Sequence, residues 1–467
     1  MKFESWSRFT FCCEGSAVAA ILLGGSIPAQ SPRRSTVEVA ALIEDAAAGD
    51  PAPSAAAMKQ ARGPAETALL RARWAALRLD TRTAERELAA YFASGDTDPR
   101  RHSIALSTRV DVAFAAGSYA QAVKAISTWQ SLHVSSRTAD ETASMAQELG
   151  IASLLANQPR QTVIGGMPAS IPTMRDKAGL VRADVAINGL TQNAILDTGA
   201  NLSVMSVSAA KRLGLRILAG AGSIASPSSG QIATRVAVAD RLIIAGVELA
   251  HFAFLVMNDA QLSFPIAGGY QIDAIVGFPV FRALGRVRFD RAGGFAVGRS
   301  AGPALAGDTL RASGNDLYVL ANVDKVPVTL HLDTGAASSG LTSLFAKRHP
   351  QLIAGLARGS EKIMGIGGNT IVAQTALWRD VKMSVGTAST SLPQITIALD
   401  LPAGRKEKRL DAIGQDVLGA FASYTLDFDT MGFELGKPTG YVSKISASRS
   451  RLRIPIADLR ASRCRQW

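Results

Sequence analysis

Two carboxylates in this chain share one setting. Asp197 stands in Ile195-Leu196-Asp197-Thr198-Gly199-Ala200, and Asp333 in Leu330-His331-Leu332-Asp333-Thr334-Gly335-Ala336. Each ends an apolar run and precedes a threonine and a glycine. Such a word describes a buried strand that breaks into a tight turn, with the acid at the break and glycine where the backbone bends sharply. The copies lie 136 residues apart (333 − 197). If the fold brings them together, the two acids cannot both ionise cheaply, so one holds a proton that the other has lost. The ionised member can act as general base on a water while the protonated one hydrogen-bonds a carbonyl. That is hydrolysis without a metal or a covalent nucleophile, and it needs no cofactor.

The parallel extends well downstream of each copy. Asp273-Ala274-Ile275-Val276-Gly277 and Phe289-Asp290 lead to Phe295-Ala296-Val297-Gly298 after the first. After the second, Asp411-Ala412-Ile413-Gly414 and Phe428-Asp429 lead to Phe433-Glu434-Leu435-Gly436. The halves therefore stay in register apart from small insertions. A period of about 140 residues is too long for a solenoid and suits two lobes.

These motifs resemble the pepsin and retropepsin superfamily of aspartic peptidases, and most of all its bacterial retropepsin-like members with two lobes in one chain. The resemblance covers roughly residues 180 to 440. It implies that Asp197 and Asp333 are catalytic, and that Thr198 and Thr334 lock the two loops together. Gly199 and Gly335 would let backbone N–H groups reach the carboxylates. Ile275-Val276-Gly277 and Ala412-Ile413-Gly414 would cross beneath the aspartates. Ala200 and Ala336 follow the retropepsin pattern, where pepsins usually carry a hydroxyl; lacking that hydrogen bond, the dyad should be less acidic. The implied substrate is a peptide or protein, covered by β-hairpin flaps. Candidate flap residues are Gly222, Ser223 and Ile224 in the first lobe and Gly365, Ile366 and Gly367 in the second. Gly220-Ala221-Gly222-Ser223-Ile224-Ala225 superficially fits a dinucleotide fingerprint, but Pro227-Ser228-Ser229-Gly230 stands where a helix should open.

The elements that must position these residues read as strands from Leu180 onward. Val185-Ala186-Ile187-Asn188-Gly189-Leu190 predicts strand, Asn-Gly hairpin and strand leading into Asp197, and Leu320 to Val326 repeats it before Asp333. The expected fold class is therefore multidomain α and β, an N-terminal helical hairpin domain followed by a bilobal all-β aspartic-protease fold. Lobe 1 is expected over 179–300 and lobe 2 over 301–440, with a basic tail over 441–467.

Upstream, residues 36–158 are rich in Ala, Leu, Arg and Glu with apolar residues at helical spacing, as in Leu70, Trp74 and Leu77. Ala115 to Ala122, with Gly117 before Tyr119 and Ala122, resembles the turn of a tetratricopeptide hairpin, so this domain is a candidate platform for a protein partner. Residues 159–178, with Gly165-Gly166, Pro168 and Pro172, are expected as a linker. Residues 1–31 read as an export signal: Lys2 and Arg8, then a short apolar stretch, then Ile27-Pro28-Ala29. Export to the periplasm is the expectation, with an uncleaved anchor as its alternative. Removal of the signal would leave Cys464 as the lone thiol, which can make no internal disulfide.

The formal charge of +12 fits peripheral attraction to anionic surfaces, and equally basic residues scattered over a solvated surface. No zinc-ligand spacing and no interleaved basic and aromatic motif point to nucleic acid, and the five histidines show no metal or triad spacing. Two plainer alternatives stand beside hydrolysis. The acids could merely hydrogen-bond their turns in a duplicated scaffold, or the chain could be a periplasmic interaction protein whose protease-like cleft clasps a peptide without cutting it.

Overall fold

A computed structural model describes residues 58–135, 137–226, 230–265, 268–366, 368–400, 412–440 and 450–452. The expected export signal, Cys464, most of the basic tail and flap candidate Gly367 lie outside these residues.

Among the described residues, five helices come first: α1 (Gly63–Leu77), α2 (Thr81–Ala93), α3 (Pro99–Ala115), α4 (Tyr119–Ser131) and α5 (Ala139–Leu155). Side chains that accept the otherwise unpaired first amides set several of their starts. Asp80 accepts from Thr83 N, Asp98 accepts from the amides of Arg100 and Arg101 ahead of Pro99, and Thr138 forms a capping box with Glu141. Leu69, Leu70, Leu88 and Tyr91 make one apolar cluster. Val110, Ile126, Trp129, Ile151 and Leu155 belong to another, which continues into the first β lobe. At Gly117 (φ +64) the chain turns from α3 to α4, and Phe114 meets Tyr119 edge-on at 5.5 Å. The described part of this region is helical. No helix among the described residues is long and apolar enough to cross a membrane.

Residues 159–178, expected as a linker, hold two strands, Thr162–Gly166 paired with Val247–Met257, and Ser170–Arg175 paired with Val181–Ile187 and Gly294–Val297. The glycines that suggest a linker serve the pairing. Gly166 (φ +111) passes so close to Gly246 that a Cβ there would collide with its carbonyl oxygen.

The elements that carry the two aspartates are duplicated in the β region. Val181–Ile187 and Leu190–Leu196 form the first hairpin, closed by Asn188 (φ 50) and Gly189 (φ 85). Asp316–Val323 and Val326–Leu332 form the second, with Asp324 (φ 52) at its turn. Ile275 and Val276 run parallel beside Ile195 and Leu196, just as Ala412 and Ile413 run beside His331 and Leu332. Helices Val207–Arg212 and Ser343–Arg348 occupy matching places. The lobes are joined by a shared sheet in which Arg286–Asp290 pairs antiparallel with Ser423–Asp427. One continuous apolar core, including Leu196, Phe254 and Phe281 of lobe 1 and Leu332, Ile397 and Leu426 of lobe 2, spans the join.

Candidate active site

Each aspartate sits where a strand between two neighbours stops. Asp197 N donates to Val276 O at 3.0 Å, and Asp333 N donates to Ile413 O at 3.1 Å, so the parallel neighbour fixes the height of each acid in its lobe. The loop then folds back on its own carboxylate: Gly199 N donates to Asp197 Oδ1 at 2.8 Å and Gly335 N to Asp333 Oδ1 at 2.9 Å.

The two loops face each other across the lobes. A Cβ on Gly199 would lie 2.5 Å from Asp333 Oδ1, and one on Gly335 would collide with Asp197 Oδ2. Only glycine leaves space for the opposite carboxylate to approach. The threonines tie the loops in a ring. Thr198 Oγ1 donates to Leu332 O at 2.7 Å and accepts from Thr334 N at 3.2 Å. Thr334 Oγ1 donates to Leu196 O at 2.8 Å and accepts from Thr198 N at 2.9 Å. Both threonines are fully buried, so these bonds have no competition from water.

Asp197 is 0 % exposed and Asp333 3 %. Burial, and after it the neighbouring Asp333 charge, hold the Asp197 carboxyl well above the usual carboxylate range, against the opposing hydrogen bond from Gly199 N. A raised folded pKa makes stability depend on pH. Asp197 favours folding when protonated, and that contribution is lost as pH rises above the unfolded value of about 3.9. Asp197→Asn should therefore be more stable than the parent at neutral pH, with the difference closing near pH 3. Urea unfolding of both proteins at the two pH values measures it.

Beneath the aspartates, glycine is again a steric requirement. A Cβ on Gly277 would lie 2.7 Å from Ala200 O, and one on Gly414 2.7 Å from Ala336 O. Gly277→Ala and Gly414→Ala should each cost about 2 to 3 kcal/mol of stability by overpacking against backbone, read from the midpoint of urea denaturation.

Several supporting residues do not stand out in the sequence. Ser203 Oγ accepts from Gly277 N at 3.0 Å, and Ser339 Oγ accepts from Gly414 N at 2.9 Å. Their own offset of 136 (339 − 203) is the available signal. In lobe 2 the support extends further: Ser339 Oγ donates to Asp416 Oδ1 at 2.6 Å, and Gln415 Nε2 donates to Thr334 O at 2.8 Å. Lobe 1 uses Phe278 and Pro279 in that place, with the Phe278 ring edge-on to Phe428 at 5.8 Å.

Of the flap candidates, Gly222, Ser223 and Ile224 lie on one arm of a hairpin, Gly222–Ser226 paired with Gly230–Ile244. Gly365 pairs with Gly368 at the end of the corresponding hairpin in lobe 2. Ile366 is buried in the same apolar cluster as Ile232 of the first hairpin and Ala200 and Ala337 of the two aspartate loops. Ile232 and Ile366, one from each hairpin, thus belong to the apolar cluster that also holds residues of the two aspartate loops. Among the described residues no His, Cys, Asp and Glu group could hold a metal ion.

Residues 183–280 match the model of a family described as aspartyl protease. Among solved structures, the chain is similar to a retropepsin-like aspartic protease from Rickettsia conorii, at 14% identity over 30% of this chain and 95% of that one, with a TM-score of 0.20. No curated protein matches it. The family match covers the first lobe, including the loop Asp197-Thr198-Gly199, and that loop recurs in the second lobe as Asp333-Thr334-Gly335.

Proposed function

We propose that this protein is an aspartic endopeptidase that hydrolyses peptide bonds with a water held between Asp197 and Asp333. The observation that carries this reading is the placement of one buried carboxylate from each lobe face to face, each loop leaving a glycine-sized gap for the other's acid. Keeping two acids at such a place is costly unless the pair is used.

In this mechanism one member of the Asp197–Asp333 pair holds the proton and the other is the base; burial and the neighbouring Asp333 charge raise the Asp197 carboxyl, as a pair that shares one proton requires. The ionised aspartate takes a proton from the water as the water oxygen bonds to the scissile carbonyl carbon, while the protonated aspartate gives its proton to the carbonyl oxygen. A neutral gem-diol results. As the C–N bond breaks, the aspartate that took the water's proton passes it to the leaving nitrogen, and a gem-diol hydroxyl returns a proton to the other aspartate, which restores the starting state. The threonine ring keeps both acids at fixed separation throughout, so little reorganisation accompanies the charge movement.

The substrate is a polypeptide laid between the two hairpins. A mixed peptide library, incubated between about pH 3 and 8 with and without a statine-type inhibitor, tests the reading. Cleavage that the inhibitor abolishes is expected. Peptide retention without cleavage at any pH would favour a clasp that binds and does not cut.

A further inference from the structure

The helical domain is seated on both lobes. On lobe 2, the Arg311 guanidinium lies over the Trp74 ring of α1, 4.7 Å from its centroid, and Arg78 pairs with Asp308. On lobe 1, α5 runs beside the hairpin Gly222–Ser226 and Gly230–Ile244. A Cβ on Gly222 would lie 3.3 Å from Ile151 Cδ1, and one on Gly220 would lie 2.8 Å from Leu154 Cδ2. Helix and hairpin come this close because neither position carries a side chain. Ile151 is fully buried, in one apolar cluster with Ile232 of the hairpin and with Ala200 and Ala337 beside the aspartates. A close-packed cluster passes a displacement on instead of absorbing it.

We propose that Ile151 and Leu154 are positioning residues: through them α5 braces the first-lobe hairpin against the cleft, so that the helical domain sets how tightly the cleft takes up a polypeptide. A hairpin without its brace spends part of its time away from the cleft, and apparent affinity falls by the fraction of molecules in which it is in place. Once substrate is held, the aspartates do the chemistry at an unchanged rate. The kinetic half of this inference rests on the peptidase reading; the mechanical half does not.

Three forms of the full chain test it: wild type, Leu154→Ala, and Ile151→Ala combined with Leu154→Ala. Leu154 is only half-buried, so the single variant leaves the helical core filled. Hydrogen exchange is followed in residues 222–226 and 232–238, with strands 181–187 and 190–196 as the internal reference. KM and kcat are measured on a peptide that wild type cuts. Expected are faster exchange in the hairpin alone, and in the double variant a KM raised about tenfold with kcat within about twofold. Hairpin protection equal to wild type in both variants overturns the brace, as does a fall in kcat at unchanged KM. If wild type cuts no peptide, the peptidase reading falls by itself, and the exchange result alone decides the brace.

Discussion

Asp197→Asn and Asp333→Asn are each expected to lower kcat/KM by about four orders of magnitude, with the double variant scarcely worse than either single one. The reason is that a proton-sharing pair is one functional unit. With asparagine at either position, one of the two carboxyls that must take the water's proton and give one to the carbonyl is missing. The remaining member then has nothing to cooperate with, so removing it as well costs little more. The hairpins and cleft remain, and substrate retention should survive. Steady-state rates on one peptide, with binding of the uncut peptide measured separately, distinguish lost chemistry from lost binding. Residual activity above about one hundredth of wild type in either single variant would refute the assignment.

The sequence makes much of this site legible, because the chain states it twice. Asp197 and Asp333, their threonines and glycines, and Gly277 and Gly414 recur at near-constant offsets, and both turns depend on residues with few substitutes. The strand hairpins before each acid are equally plain, since Asn188-Gly189 fits a turn with positive φ. Other features are hidden for identifiable reasons. Ser203 and Ser339 are short, common residues whose role emerges only when Gly277 N and Gly414 N are found pointing at them. The strands Thr162–Gly166 and Ser170–Arg175 are largely exposed, so no apolar alternation marks them, and their glycines and prolines imitate a linker. The sheet that joins Arg286–Asp290 to Ser423–Asp427 depends on pairing across more than a hundred residues, which local pattern does not encode. Docking of α5 against Gly220 and Gly222 is likewise tertiary, and the glycines read locally as an ordinary turn.

Thr198→Val and Thr334→Val should each destabilise the protein by about 4 kcal/mol, more than most substitutions that leave shape almost unchanged. Valine keeps the volume but removes a hydroxyl with two duties. In Thr198→Val, Leu332 O loses its donor at 2.7 Å and Thr334 N its acceptor at 3.2 Å. In Thr334→Val, Leu196 O and Thr198 N are deprived in the same way. Each variant thus strands two buried backbone groups, at about 1 to 3 kcal/mol apiece. The four bonds form one ring, so the costs should not add: once one hydroxyl is gone the loops can shift apart, and the second loss removes bonds already weakened. The double variant should therefore fall short of the summed singles by about 1 kcal/mol or more. Because the ring also sets the separation of the acids, kcat should fall in both single variants even where the protein remains folded. Urea denaturation of the four proteins in this cycle, with kcat measured well below each midpoint, tests both halves. Additive losses would show that the two hydroxyls act as independent turn supports, and unchanged kcat in a folded single variant would show that the ring does not position the aspartates.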